Sequence, residues 1–236
     1  MKRFFSSSIN FPTAILEGKE KEHCIKVLRT QLGEQVEIVD GQGSLFVGEL
    51  GESDKHTAII RHLSKVNQYT DCPLITIACC IPKNASRWEF FLEKATEIGV
   101  KKIIPLIAKR SEKSNIRHDR NEQILISALK QSGHLYLPEL EAPQKLNDFI
   151  KSVKDPTVVK FIAHCDEQHK EFLGHQYKKG EEALILIGPE GDFTPEEIKL
   201  ALSHHFKPVS LGASRLRVET AGIVAAGMIN WVNFEK

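Results

Sequence analysis

Ala183-Leu184-Ile185-Leu186-Ile187-Gly188-Pro189-Glu190-Gly191-Asp192-Phe193-Thr194-Pro195-Glu196-Glu197 reads as a buried strand, a glycine loop and the start of a helix. Five consecutive apolar residues predict a strand buried on both faces, as in a parallel sheet covered by helices. Thr194 can cap a helix, Pro195 suits its first position, and Glu197 closes a capping box. The segment between is a tight, glycine-flanked loop at the carboxyl end of a buried strand. Open α/β sheets bind ligands at that edge. The loop matches neither G-x-G-x-x-G nor a Walker A sequence, so an ordinary strand-to-helix turn is the competing reading.

Further along, Val209-Ser210-Leu211-Gly212-Ala213-Ser214-Arg215-Leu216-Arg217-Val218-Glu219-Thr220-Ala221-Gly222 repeats the plan of strand, glycine loop and helix. The positive end of the last helix favours an ionised Glu219, which is otherwise a plain first-turn carboxylate. Apolar runs predict strands at Leu74 to Ile81, Lys102 to Ile107, Val158 to Ala163, Ala183 to Ile187 and Pro208 to Leu211. Amphipathic spacing predicts helices at Ser86 to Ile98, Arg120 to Ser132, Pro195 to His204 and Glu219 to Trp231, with Trp88, Phe91, Leu92 and Ala95 as a buried face and Gly99 as a C-terminal cap. Strand-helix alternation predicts an α/β fold with a doubly wound, mostly parallel sheet.

The first 70 residues read differently. Gln35 to Val39 and Ser44 to Leu50 flank Asp40-Gly41-Gln42-Gly43 as a hairpin, Thr57 to Leu63 is a further strand, and Lys19 to Leu28 a short helix. A small β-barrel with an inserted helix fits this pattern. The polar stretch Lys65 to Asp71, closed by Cys72-Pro73, sets the boundary between domains 1-71 and 72-236.

Composition excludes little. The chain has 236 residues, 41% hydrophobic and 27% charged, with a formal charge of +1, so overall charge argues neither for nor against a polyanionic partner. Ten basic residues against five acidic ones between Lys83 and Arg120 form a candidate phosphate-facing strip or a solvated surface. Five cysteines without a C-x-x-C pair fit neither a disulfide framework nor a zinc site, and they predict a reducing, cytoplasmic location with no metal. Cys79 and Cys80 read as small buried hydrophobes. Thr220 to Phe234 is too short an apolar segment to cross a membrane, and the first residues lack the apolar core of a signal peptide.

Ile187-Gly188-Pro189-Glu190-Gly191, followed by Leu211-Gly212 and Leu216-Arg217-x-Glu219-Thr220-Ala221, resembles the RsmE family of small-subunit ribosomal RNA uridine N3-methyltransferases. Further matches are Arg3-Phe4-Phe5, His23 with Val27-Leu28-Arg29, Asp40-Gly41-x-Gly43, Lys94-Ala95-Thr96-Glu97-Ile98-Gly99-Val100 and Gln131-Ser132. Members often show Pro-Arg where Ala213-Ser214 stand, an apolar residue at Arg215, threonine at Val218 and glutamate at Lys130. The resemblance implies a PUA-like β-barrel for RNA followed by a SPOUT domain with a C-terminal trefoil knot. Periodicity alone predicts an unknotted sheet. The resemblance also implies a homodimer acting on 16S rRNA in the small subunit, with S-adenosylmethionine wrapped by Ile187, Gly188, Pro189, Glu190, Gly191, Leu211, Gly212, Leu216 and Thr220.

On that basis Arg217 offsets charge developing on uracil O2 or O4, and Glu219 either accepts the imino proton or orients Arg217. RNA docking falls to Arg3, His23, Arg29, Lys83 and Arg87. Three other readings stand beside it: a methyltransferase of the same fold acting at another RNA site, a non-catalytic RNA-binding dimer, and a hydrolase using Asp166 with His169 or His204 with His205. The hydrolase has neither H-E-x-x-H nor G-x-S-x-G to support it.

Overall fold

The computed structural model describes residues 1–68, 74–165 and 170–234. The chain divides into two compact units, one of Met1–Cys72 with Ile126–Leu137, the other of Pro73–Leu125 with Pro138–Lys236. The boundary read from sequence at residues 71 and 72 lies outside the described residues.

The first unit holds β1 (Lys2–Phe5), β2 (Ser8–Asn10), β3 (Thr13–Glu17), α1 (Gly18–Glu22), β4 (Gln35–Val39), β5 (Ser44–Ser53) and β6 (Thr57–Gln68). They form one six-stranded half-barrel sheet in the order β1-β4-β5-β6-β3-β2. The β4-β5 hairpin has the expected ends, with Val39 opposite Leu45. Its turn follows from local chemistry. Asp40 Oδ1 accepts the Gln42 and Ser44 N–H groups at 2.7 and 2.9 Å, while Gly41 and Gly43 take the positive φ values of 71° and 97° that the path needs. The helix expected over Lys19 to Leu28 differs: α1 runs into a π-helical turn, His23–Val27, closed by the Leu28 N–H on the His23 carbonyl at 2.9 Å. The wider turn accompanies full burial of Cys24 and sets the His23 ring edge-on to Phe4.

The second unit begins with β7 (Ile75–Cys80), α2 (Ala85–Ile98), β8 (Lys102–Ile107) and α3 (His118–Ser132), and continues with β9 (Glu139–Leu140), β10 (Gln144–Lys145), α4 (Leu146–Ser152) and β11 (Val159–Ala163). It ends with β12 (Glu171–Phe172), α5 (Leu173–Gln176), β13 (Ala183–Ile187), α6 (Pro195–Ser203), β14 (Lys207–Ser210) and α7 (Val218–Phe234). From Ile126 onward α3 belongs to the first unit.

The eight strands are parallel, in the order β10-β8-β7-β13-β11-β14-β12 with β9 beside β8. All five residues of β13 are buried, as the apolar run requires of a strand between β7 and β11. Strand alternation splits the packing. Ala78, Cys80, Leu184 and Leu186 join Phe149 of α4, Ala201 of α6 and Phe206 in one cluster. Ile77, Cys79 and Ile185 turn to the opposite face, where α7 packs on β7, β13 and α2. Each Leu or Ile so buried contributes about 1.5–3 kcal/mol. The stripe Gly222, Ala225, Ala226 and Ile229 faces inward at helical spacing. Gly222 is required there: a Cβ on it would stand 2.5 Å from the Phe91 ring.

Candidate functional site

Parallel register brings Ala163, Ile187 and Val209 level at the carboxyl ends of β11, β13 and β14. The chain leaves the sheet there, and the departing loops enclose a cleft of about 800 Å³. Of the residues expected to wrap a cofactor, Ile187, Gly188, Pro189, Glu190, Leu211, Gly212 and Leu216 line it, and so does Arg217. Gly191 packs instead against the Arg110 side chain, whose Nη1 donates to the Gly191 carbonyl at 2.7 Å. Thr220 is half-buried in the first turn of α7 and is not among the lining residues.

The loop after β13 is held on several sides. The Lys83 N–H donates to Glu190 Oε1 at 3.0 Å, and Arg215 donates to the Glu190 carbonyl at 3.4 Å. Arg215 therefore joins the two glycine loops. The helix after the loop starts as the sequence predicts: Thr194 Oγ1 accepts the Glu197 N–H and Glu197 Oε2 the Thr194 N–H. Glu197, buried, also accepts the Lys109 N–H on Oε1 at 2.8 Å, so both its oxygens are satisfied. A Cβ on Gly188 would come within 3.1 Å of the buried Phe193 ring and 3.3 Å of Asp192 Oδ1, so any larger residue would have to push these neighbours aside.

Glu219 is buried and does not line the cleft; its Oε1 lies 3.6 Å from Arg87 Nε, and its Oε2 has no hydrogen-bond partner. Arg87, assigned from sequence to RNA, lines the cleft from the first turn of α2. Lys83 is exposed and paired with Glu112 at 2.7 Å, which holds its ammonium above the ordinary lysine value. In the first unit, Arg3 pairs with Glu37 at 2.8 Å, His23 lies against Phe4, and Arg29 is exposed with φ +48°. The basic strip is largely neutralised in place: Lys94 pairs with Glu93 and Glu97, Lys101 with Glu182, Lys102 with Glu139 and Glu141, and Arg120 with Glu89.

Sequence reasoning missed His164, Cys165, Lys170 and Asp192 on the cleft wall. Their signal was the end of the strand Val158 to Ala163, whose place beside β13 periodicity cannot supply. His204 and His205 follow α6, with His204 Nδ1 near the Leu200 carbonyl at 3.1 Å, and neither lines the cleft. Asp166 and His169 lie outside the described residues. Among the described residues no group of three or more His, Cys, Asp or Glu is arranged to hold a metal ion, and no helix is long and apolar enough to cross a membrane. Burial pushes the Cys80 thiol up to about 12 and, with Cys80, Glu219 and Glu190 nearby, the Cys79 thiol well above its ordinary value, so neither serves as a nucleophile.

Residues 70–230 match the family model described as RNA methyltransferase domain, and residues 16–62 that described as RNA methyltransferase PUA domain. A Synechocystis sp. protein named Ribosomal RNA small subunit methyltransferase E is 30% identical over 224 residues, 92% of this chain and 73% of that protein. The chain belongs to the ribosomal RNA small subunit methyltransferase E family. Two solved structures share the fold of this methyltransferase E family member. A probable rRNA-methyltransferase from Porphyromonas gingivalis has a TM-score of 0.86 at 35% identity, covering 99% of this chain and 98% of that one. A Ribosomal RNA small subunit methyltransferase E from Neisseria gonorrhoeae, bound to S-adenosyl methionine, has a TM-score of 0.83 at 27% identity, covering 96% and 95%.

Proposed function

We propose that this protein methylates 16S ribosomal RNA in the small subunit, taking the methyl group from S-adenosylmethionine and placing it on N3 of a uridine. Ile187–Glu190 and Leu211–Arg217 converge on one cleft, in a fold whose Neisseria relative is bound to that donor. The cleft suits such a group. About 800 Å³ falls within the range of small-molecule sites, and aliphatic Ile187, Leu211 and Leu216 stand beside polar main chain at Gly188 and Gly212.

When bound, the donor supplies an electrophilic methyl carbon on a sulfonium. Uridine N3 attacks it only after losing its imino proton, so the chain must hold negative charge on the base. Arg217, exposed on the cleft wall, offsets that charge at O2 or O4. Glu219, buried behind the cleft wall with Arg87 beside one oxygen and no hydrogen-bond partner on the other, either takes the imino proton through an intervening water or orients Arg217. Because N3 is on the Watson-Crick edge, the base must be unpaired or flipped.

In the first unit Arg29 is the best placed RNA contact, exposed and forming no ion pair among the described residues. Self-association as a homodimer is supported by large apolar side chains left exposed on α2 and α7, Phe90 at 48%, Trp231 at 69% and Phe234 at 77%. The test is transfer of labelled methyl to small subunits lacking the mark, followed by nucleoside analysis. Label in N3-methyluridine supports donor, acceptor and atom together; label in another nucleoside refutes the acceptor, and no label refutes the activity.

A further inference from the structure

We propose that Asp192 is a positioning residue for the cleft: its carboxylate fastens the loop after β11 to the loop after β13 and so sets the shape in which the methyl donor is received. This rests on the donor reading of the cleft given above.

Asp192 stands in the left-handed region at φ +61°, where a residue with a side chain is held only if something is gained. Glycine would take this conformation freely. The gain lies in the carboxylate. Oδ2 accepts the Cys165 N–H at 2.8 Å, and Oδ1 accepts the Phe193 N–H at 2.8 Å. Cys165 follows β11 and Phe193 follows β13, neighbouring strands in parallel register, so one side chain spans the mouths of both. The Asp192 N–H closes a turn onto the Pro189 carbonyl at 2.9 Å, which makes the span rigid from its own end. Asp192 and Cys165 both line the cleft, and Gly188 packs directly under Asp192 Oδ1. Charge-assisted bonds from an ionised carboxylate to main-chain N–H groups are among the stronger neutral-to-ion contacts. A site held this way loses less freedom when a ligand enters.

Asp192→Gly separates this role from backbone strain, since glycine keeps the conformation and loses both bonds. Asp192→Asn keeps tolerance of the left-handed region and one acceptor oxygen. Titration with S-adenosylmethionine and steady-state methyl transfer should give a Kd and a donor KM about tenfold higher for Asp192→Gly, with kcat within about twofold. Asp192→Asn should recover to within about threefold of wild type. Amide exchange of the peptide holding Cys165 should quicken about tenfold in Asp192→Gly, in step with the lost bond. If wild type binds the donor and Asp192→Gly binds it within about twofold, the positioning role is overturned. Absence of donor binding by wild type overturns the donor reading instead, a result recognisable before any variant is measured.

Discussion

Glu219 and Arg87, 132 positions apart in the chain, meet with Oε1 at 3.6 Å from Nε, the carboxylate buried and the guanidinium on the cleft wall. The first turn of α7 and the first turn of α2 are thereby joined at the point where the proposed chemistry occurs. Replacing Arg87 with leucine leaves a buried carboxylate without its cation. We expect Arg87→Leu to lower kcat for methyl transfer about 10- to 100-fold and to destabilise the fold by about 2 kcal/mol, less than a fully buried pair because the guanidinium is partly exposed. Stopped-time label transfer at saturating donor, with denaturant unfolding, checks both; wild-type kcat would remove Arg87 from the mechanism.

Close approach of α7 to α2 depends on Gly222. Its added Cβ would meet the fully buried Phe91 ring at 2.5 Å. Gly222→Ala should cost about 2 kcal/mol and lower Tm by about 4–8 °C, read by calorimetry.

Lys130 and Glu20 form a well-buried pair at 2.5 Å within the first unit, and Glu20 Oε2 also accepts the Phe5 N–H at 2.9 Å. Lys130→Met should destabilise by about 3 kcal/mol, because a buried charge loses its partner. Adding Glu20→Gln removes the charge and keeps the acceptor for Phe5, so the double variant should recover most of the loss. Wild-type stability in Lys130→Met would show that the pair contributes nothing, and equal stability of single and double variants would show that the unpaired carboxylate is not the cause of the loss.

The thiols should divide sharply. With Cys80 raised to about 12 and Cys79 raised well above its ordinary value, both stay neutral at pH 8 and both are buried, so they resist iodoacetamide until the fold opens. Exposed Cys165 should be alkylated in the folded protein and protected by S-adenosylmethionine, since it lines the cleft. Peptide mass spectrometry reads all three sites.

What the sequence makes legible is local. Ala183–Ile187 and Lys102–Ile107 are strands at the expected bounds, and the Thr194/Glu197 box starts α6 because its chemistry involves neighbours only. The two glycine loops are legible for the same reason. Partners across the fold are not. No pattern places β11 between β13 and β14, so the Asp192 contact with Cys165 could not be foreseen. Arg87 reads as one cation in a basic strip until α2 packs on α7. Helical spacing shows that Ile126 and Leu129 turn to a core, but not to which one, and Ile126–Leu137 groups with the first unit. The two-residue strands β9, β10 and β12 are too short to show a period.

Whether the cleft between the loops after β13 and β14 receives the methyl donor is decided by titrating S-adenosylmethionine into wild type and into Ala213→Trp, whose indole would occupy the cleft from an exposed loop position. Wild type should bind saturably, one to one, with the Kd raised at least about 30-fold in the variant and Tm unchanged. Equal affinity for both proteins, or no binding to wild type, would show that the donor is not held in this cleft.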